Sequence, residues 1–258
     1  MRLGLVISPA KKMNVVEGPP WPTTTPEHMG RARLLHERLR ELNLEQAQDL
    51  WRCSDRLAQV NYDRLALTDL DRDLTAAILA YEGIQYQHLA ASVLDEDGLT
   101  YLEGHLRILS GLYGVLRPTD GVVPYRLEMQ AHLSMPAHGD EPATADLYAF
   151  WGDALATSLA RDFELVVNVA SVEYAKAVTP HLARLGIPVL TCLFGSVRPT
   201  DGKFAQRATE AKAARGTFVR WCAEHGVEDS CQLRDFCERG YRLSEDRSDE
   251  HALVFVRQ

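Results

Sequence analysis

A chain of 258 residues, 46% hydrophobic and 25% charged, has ordinary globular composition. None of its apolar runs approaches the ~18 residues of a membrane span, and the opening MRLGLVISPAKK is too short in apolar residues for a signal-peptide core, so a cytoplasmic protein with no membrane partner is expected. A net charge of −8 argues against a protein that coats nucleic acid nonspecifically.

Residues 2–7 (RLGLVI) read as a short buried strand ending at a Ser-Pro turn. Helical patterning dominates from Pro26 to Leu109: Leu34, Leu35, Leu39 and Leu42 recur at helical spacing, and Ser54 opens a second amphipathic segment. Further helices are predicted over 145–161, with a stripe of Leu147, Phe150, Trp151, Leu155 and Leu159, and over 208–225, with Ala214, Phe218, Trp221 and Cys222. Strands are predicted at 165–170 and 187–194, and the segments 241–243 and 252–257 form a hairpin around an acidic loop. The Pro-rich segments 18–26 and 135–146 read as loops. Two stretches, 109–126 and 190–207, match at nine of 18 aligned positions including RPTDG; a turn used twice explains this better than a duplication, because the first follows helical patterning and the second a strand.

Five cysteines (Cys53, Cys192, Cys222, Cys231, Cys237) are scattered without a C-x-x-C pair, which fits reduced thiols, most of them buried as small apolar residues. The histidines do not stand at zinc spacings, and the P-loop, G-x-G-x-x-G, G-x-S-x-G and H-E-x-x-H patterns are missing, so no metal and no cofactor is expected.

Only five of the 28 basic residues are lysines: Lys11, Lys12, Lys176, Lys203 and Lys212. An ammonium is a compact, titratable point charge, suited to a phosphate or to acid–base work in ways a guanidinium is not, although an exposed lysine is also an ordinary solvated charge. Lys11 and Lys176 each follow a predicted strand, where open α/β sheets collect ligands, and would meet if those strands are parallel neighbours. Around Lys176 stand Asn168, Ser171, Glu173 and Tyr174, with Ser171 placed to cap a short helix whose start would favour an anion. Glu173 and Lys176, three apart, equally fit an ordinary helical ion pair. The stretch Arg198–Arg220 holds six basic and two acidic residues; on a helix its Lys212 and Arg215 share a face, and Gly216 permits a close approach by a backbone or a ligand. Gly111 and Gly114 could present backbone N–H groups to a phosphate, or serve only the turn.

Taken in order, SPAKKM, CSDRLAQVN, HLRILSGLYGVLRPTDGVVPYRLEM, LYAFWGD, NVASVEYAKAV, GKF and AKAARG resemble the YaaA family of bacterial peroxide-stress proteins across nearly the whole chain. The resemblance implies one α/β mixed (α+β) domain over 1–258 with a family-specific topology around a mixed sheet. It also implies a DNA-binding protein of the oxidative-stress response, with a basic cleft and a helix-hairpin-helix-like element. That element would fall on Leu109–Pro118, whose glycines are spaced G-x-x-G where G-x-G is usual. Two readings of the site stand side by side. In the first, DNA or another phosphate-bearing ligand meets Ser8, Lys11, Gly111, Gly114, Arg117, Arg126, Ser171, Lys203, Arg207, Lys212 and Arg215. In the second, an enzyme acts on an anionic small molecule or nucleotide through Lys11, Asn168, Glu173, Tyr174 and Lys176, and Lys176→Arg would abolish function.

Overall fold

The computed structural model describes residues 2–16, 22–139 and 142–258; parts of the two predicted loops, 18–21 and 140–141, lie outside them. A mixed sheet organises the chain. Its strands are β1 (Leu3–Ile7), β2 (Leu106–Ser110), β3 (Gly114–Leu116), β4 (Leu165–Asn168), β5 (Val189–Val197), β6 (Phe204–Ala205), β7 (Tyr241–Leu243) and β8 (Ala252–Arg257). They lie in the order β7-β8-β5-β4-β1-β2-β3, with β6 also paired to β5. The pairs β8/β5, β5/β4, β4/β1 and β1/β2 are parallel, and β3, β6 and β7 are antiparallel additions. Parallel strands covered on both faces need continuous apolar sequence, and β1, β2 and β4 are buried at every position.

From β1 the chain crosses to β2 on one side and later returns as β4 on the other, with Leu5 opposite both Leu106 and Val167. The sheet therefore reverses direction at β1/β4, and the loops beyond the carboxyl ends of these strands border a crevice, the usual place for a ligand in such sheets. The strands leading to Lys11 and Lys176 are thus parallel neighbours, the condition left open by the sequence.

Besides the single helical turn Ala77–Ala80, the α-helices are α1 (Met29–Arg40), α2 (Leu44–Trp51), α3 (Asp55–Leu67), α4 (Ile84–Leu89), α5 (Glu96–His105), α6 (Leu147–Trp151), α7 (Ala154–Asp162), α8 (Val172–Ala175), α9 (Thr179–Arg184) and α10 (Ala208–Glu224). The predicted 145–161 helix is two helices, because Gly152 at φ +51° breaks the backbone between them. The 208–225 helix forms as expected, and its Phe218 and Trp221 join Phe194, Phe236 and Phe255 in an aromatic core that fixes α10 on the sheet. No helix of the described residues is long and apolar enough to cross a membrane.

Four expectations are corrected. HLRILS is not helical: Leu106–Ser110 is a central strand, and Arg107, only 4% exposed, is tolerated there because Asp162 pairs with its guanidinium at 2.8 Å. Leu109–Pro118 is not a helix-hairpin-helix element but the tight β2/β3 hairpin, whose glycines are buried; a Cβ on Gly111 would lie 2.4 Å from the Leu127 carbonyl oxygen, and Gly114 has φ +78°. Both RPTDG copies follow strands, yet their turns differ: the second closes the β5/β6 hairpin with Gly202 at φ +66°, while Gly121 in the first gives its N–H to Thr24. Of the cysteines only Cys192 and Cys222 are buried; Cys231 and Cys237 are exposed.

Ahead of α1, the Glu27 carboxylate takes both terminal nitrogens of Arg161 (2.9 and 2.8 Å) and the Ser158 hydroxyl (2.8 Å). The Arg161 hydrogen bonds outweigh burial and lower its pKa from 4.5 to about 2. A folded-state pKa below the unfolded one means that this stabilisation is complete above about pH 4.5 and is lost as the pH falls towards 2. The melting temperature of the Glu27→Gln variant is therefore expected to fall less over that window than that of the parent; parallel curves would contradict the assignment.

Candidate functional site

Five segments meet beyond the carboxyl ends of β1 and β4 around a cavity of about 490 Å³, within the size range of small-molecule sites. The loop after β1 contributes Ser8, Lys11 and Lys12; the start of α4 contributes Gln85 and Tyr86 beside Glu82; the PYRLEM segment contributes Tyr125, Arg126 and Glu128; the loop after β4 contributes Ser171, Glu173 and Tyr174; and α10 contributes Lys212 and Arg215. The walls are held together at several points. Ser8 Oγ accepts the Ser171 N–H (2.8 Å) and donates to Ser171 Oγ (3.1 Å), and Tyr86 Oη donates to the Ser8 carbonyl (2.9 Å). Gly216 lets α10 approach α4 so closely that an added Cβ would lie 2.0 Å from the Gln85 carbonyl oxygen.

Five cations and three carboxylates line the space, so a chain of net charge −8 encloses a site with an excess of positive charge. The cations differ in their partners. Lys12 pairs with Glu82 (2.7 Å), Lys11 with Glu128 (2.8 Å), and Arg126 lies 3.7 Å from the same Glu128. Lys212 and Arg215 have no carboxylate and no hydrogen-bond partner among the described residues, and Arg215 Nε is fully buried. Burial pushes the Arg215 pKa down with no neighbouring charge opposing it. Gln85 is 7% exposed, and its Nε2 also lacks a partner among the described residues. Buried polar groups are normally paired, so donors left over on one cavity wall define where an acceptor is missing.

The carboxylate side is different. Burial raises the Glu173 pKa, helped by Glu128 and opposed by the Gln130 N–H (3.2 Å) and Lys11. Burial also lifts the Tyr174 hydroxyl well above its ordinary value. Tyr125 Oη lies 2.7 Å from Ser110 Oγ and 2.8 Å from Tyr81 Oη; burial raises its pKa, the two hydroxyls restrain the rise, and it stands at about 12. A second cavity of about 460 Å³, with Arg38, Trp51 and Arg52 in its wall, adjoins the first across the Lys11–Glu128 pair.

Of the residues singled out in the sequence, Ser8, Lys11, Arg126, Ser171, Glu173, Tyr174, Lys212 and Arg215 meet in this cavity. The others stand elsewhere. Asn168 is 5% exposed; its Oδ1 accepts the Ala170 N–H (3.0 Å) and its Nδ2 reaches Thr191 Oγ1 (3.3 Å), so it fastens the turn after β4. Lys176 is exposed beyond α8 and lies over the Tyr148 ring at 4.8 Å, without the predicted ion pair to Glu173. Gly111 and Gly114 are buried in their hairpin, Arg117 is exposed on the first RPTDG turn, and Lys203 is exposed on the second. Arg207 lines a separate small cavity with Glu210, Tyr241 and Arg257. The helix start at Ser171 offers little to an anion, since α8 has four residues and the Ser171 N–H is already bonded to Ser8. Sequence reasoning passed over Gln85, which lies outside the quoted motifs, and Tyr125, which lies within PYRLEM beside the singled-out Arg126, and treated Lys12 as an open position. Because Lys176 stands outside the cavity, Lys176→Arg is expected to leave binding there within about twofold, as for a surface change away from the site; a tenfold loss would contradict the placement.

The fold and site define an α/β protein with a cation-lined cavity at the reversal point of a largely parallel sheet. The family described as "Peroxide stress protein YaaA" matches residues 3–247, and the chain belongs to that family. It is 44% identical over 255 residues to a UPF0246 protein of Lactiplantibacillus plantarum, covering 98% of this chain and 99% of the relative. A UPF0246 protein of Pediococcus pentosaceus is 43% identical over 253 residues (98% and 97% covered), and one of Lachnoclostridium phytofermentans is 39% identical over 254 (98% and 96%).

Proposed function

We propose that this YaaA-family protein binds a small phosphate-bearing molecule in the cavity between Ser8, Tyr125, Ser171, Lys212 and Arg215. The observation that carries the reading is Arg215: a guanidinium in a cavity wall, largely removed from water, whose buried Nε has no acceptor among the described residues. Such a charge is costly to keep unless a ligand completes it, and a phosphate offers the planar fork its acceptors. Lys212, one helical turn earlier, adds a second uncommitted cation, and the volume suits a molecule of metabolite size. The DNA reading called on a shared basic surface, yet Arg117, Lys203 and Arg207 stand apart from Lys212 and Arg215, and Gly111 and Gly114 are buried.

Calorimetry at low salt with inorganic phosphate, a nucleoside monophosphate and a short DNA duplex separates the alternatives. Binding of a small phosphate that is lost when Arg215 is replaced supports the proposal. Binding of the duplex alone, steeply dependent on salt and indifferent to Arg215, would overturn it.

A further inference from the structure

Eight charged side chains line the cavity, and most of them neutralise one another. Lys12 answers Glu82, and Lys11 and Arg126 together answer Glu128. Three charges are left: Lys212 and Arg215 from α10, and Glu173 from α8. Glu173 enters no ion pair among the described residues, and its Oε1 accepts the Gln130 N–H at 3.2 Å. Lys11 attracts it from further off but is committed to Glu128, whose own charge presses on Glu173 in the opposite sense. A half-buried carboxylate without a cation is costly, and burial raises its pKa accordingly.

The two α10 cations and Glu173 share one cavity and yet form no ion pair with each other. Their backbones are held where they are. Gly216 clamps α10 on α4, the Glu173 carbonyl accepts Tyr148 Oη at 3.0 Å, and the Ser171 N–H at the start of α8 is bonded to Ser8 Oγ at 2.8 Å. A ligand that answers all three charges therefore needs a negative group and a positive group.

We propose that the ligand of this cavity is a phosphate ester that also carries an ammonium group, with its phosphate on Lys212 and Arg215 and its ammonium on Glu173. The inference rests on the small-phosphate reading above and deepens it by naming the ligand's second functional group. An ester with phosphate alone satisfies the cations and leaves Glu173 unpaired, with more negative charge beside it. An ester with a carboxylate where the ammonium belongs is disfavoured further, because two like charges would meet.

Calorimetry at low salt and neutral pH with ethyl phosphate and its amino derivative, phosphoethanolamine, tests this, since the two esters differ by the ammonium group. The cavity carries an excess of positive charge, so net charge alone favours ethyl phosphate, and a preference for the amine requires a local partner. Wild type is expected to bind phosphoethanolamine about tenfold more tightly, the value of one hydrogen bond between charged groups. In Glu173→Gln, which keeps an acceptor oxygen for the Gln130 N–H, the ratio of the two affinities is expected to fall below about twofold. Equal binding of the two esters by wild type, or tighter binding of ethyl phosphate, overturns the proposal and leaves the small-phosphate reading standing. A preference that persists in Glu173→Gln overturns the role of Glu173. If wild type binds neither ester, both readings fall.

Discussion

Gly216→Ala is expected to destabilise the protein by about 3 kcal/mol or more, at the upper end of what overpacking costs. The added methyl group would sit 2.0 Å from the Gln85 carbonyl oxygen and 2.9 Å from the Gln85 carbonyl carbon and the Leu89 nitrogen, all of them backbone atoms of α4 that cannot swing aside. Relief requires α10 and α4 to separate, and these helices carry Lys212, Arg215, Gln85 and Tyr86 into the lining of the cavity. Stability and any phosphate-induced stabilisation should fall together. Gly30→Ala is the control: it also lies in a helix, a Cβ there meets nothing within 4 Å, and the change should gain up to about 1 kcal/mol from helix propensity. Denaturant midpoints for the two variants read the difference; a Gly216→Ala protein as stable as its parent would mean that the helices are not in this contact.

Arg215→Met should do the reverse to stability while removing function. Without ligand, replacing a largely buried cation that has no acceptor among the described residues by a shorter, flexible apolar chain removes a desolvation cost, and a gain of about 1 kcal/mol or more is expected. Saturating phosphate, at ~100 times its Kd, stabilises a binding protein by about 2.7 kcal/mol. Wild type should show a shift of this kind and Arg215→Met almost none, since losing a charged partner in a desolvated contact costs at least about 2 kcal/mol of binding. A variant more stable in buffer and indifferent to phosphate is what a site strained for its ligand predicts. Loss of stability in buffer would show that Arg215 serves the fold.

How much of this was legible in the sequence depended on how locally each feature is encoded. The strand–turn–lysine segment at Lys11 and the shared face of Lys212 and Arg215 could be read directly, because a strand end and a helical spacing are local properties. Leu106–Ser110 could not: five residues of mixed polarity after a helix carry no period long enough to separate strand from helix, and the charge of the buried Arg107 is neutralised by Asp162, 55 residues away. Lys176 was expected in the site because it follows a strand beside the one that leads to Lys11, whereas the turn of α8 carries it past the cavity to the Tyr148 ring. Asparagine is uncommon inside strands, and Asn168 ends β4 because its side chain ties the turn that follows. Gly216 was rightly singled out for close approach, with α4 as the visitor. Gln85, Tyr125 and the Ser110–Tyr125–Tyr81 hydroxyls come together only through the tertiary fold, so no spacing in the sequence announces them.

The central claim, that Arg215 and Lys212 await a small phosphate, is tested most directly by a crystal structure of the protein grown with inorganic phosphate or a nucleoside monophosphate. The account predicts a phosphate group in the cavity, with an oxygen about 2.8 Å from the Arg215 guanidinium, the distance of a charge-assisted hydrogen bond. A cavity without phosphate, in which Arg215 has turned to pair with a carboxylate of the protein, would contradict it.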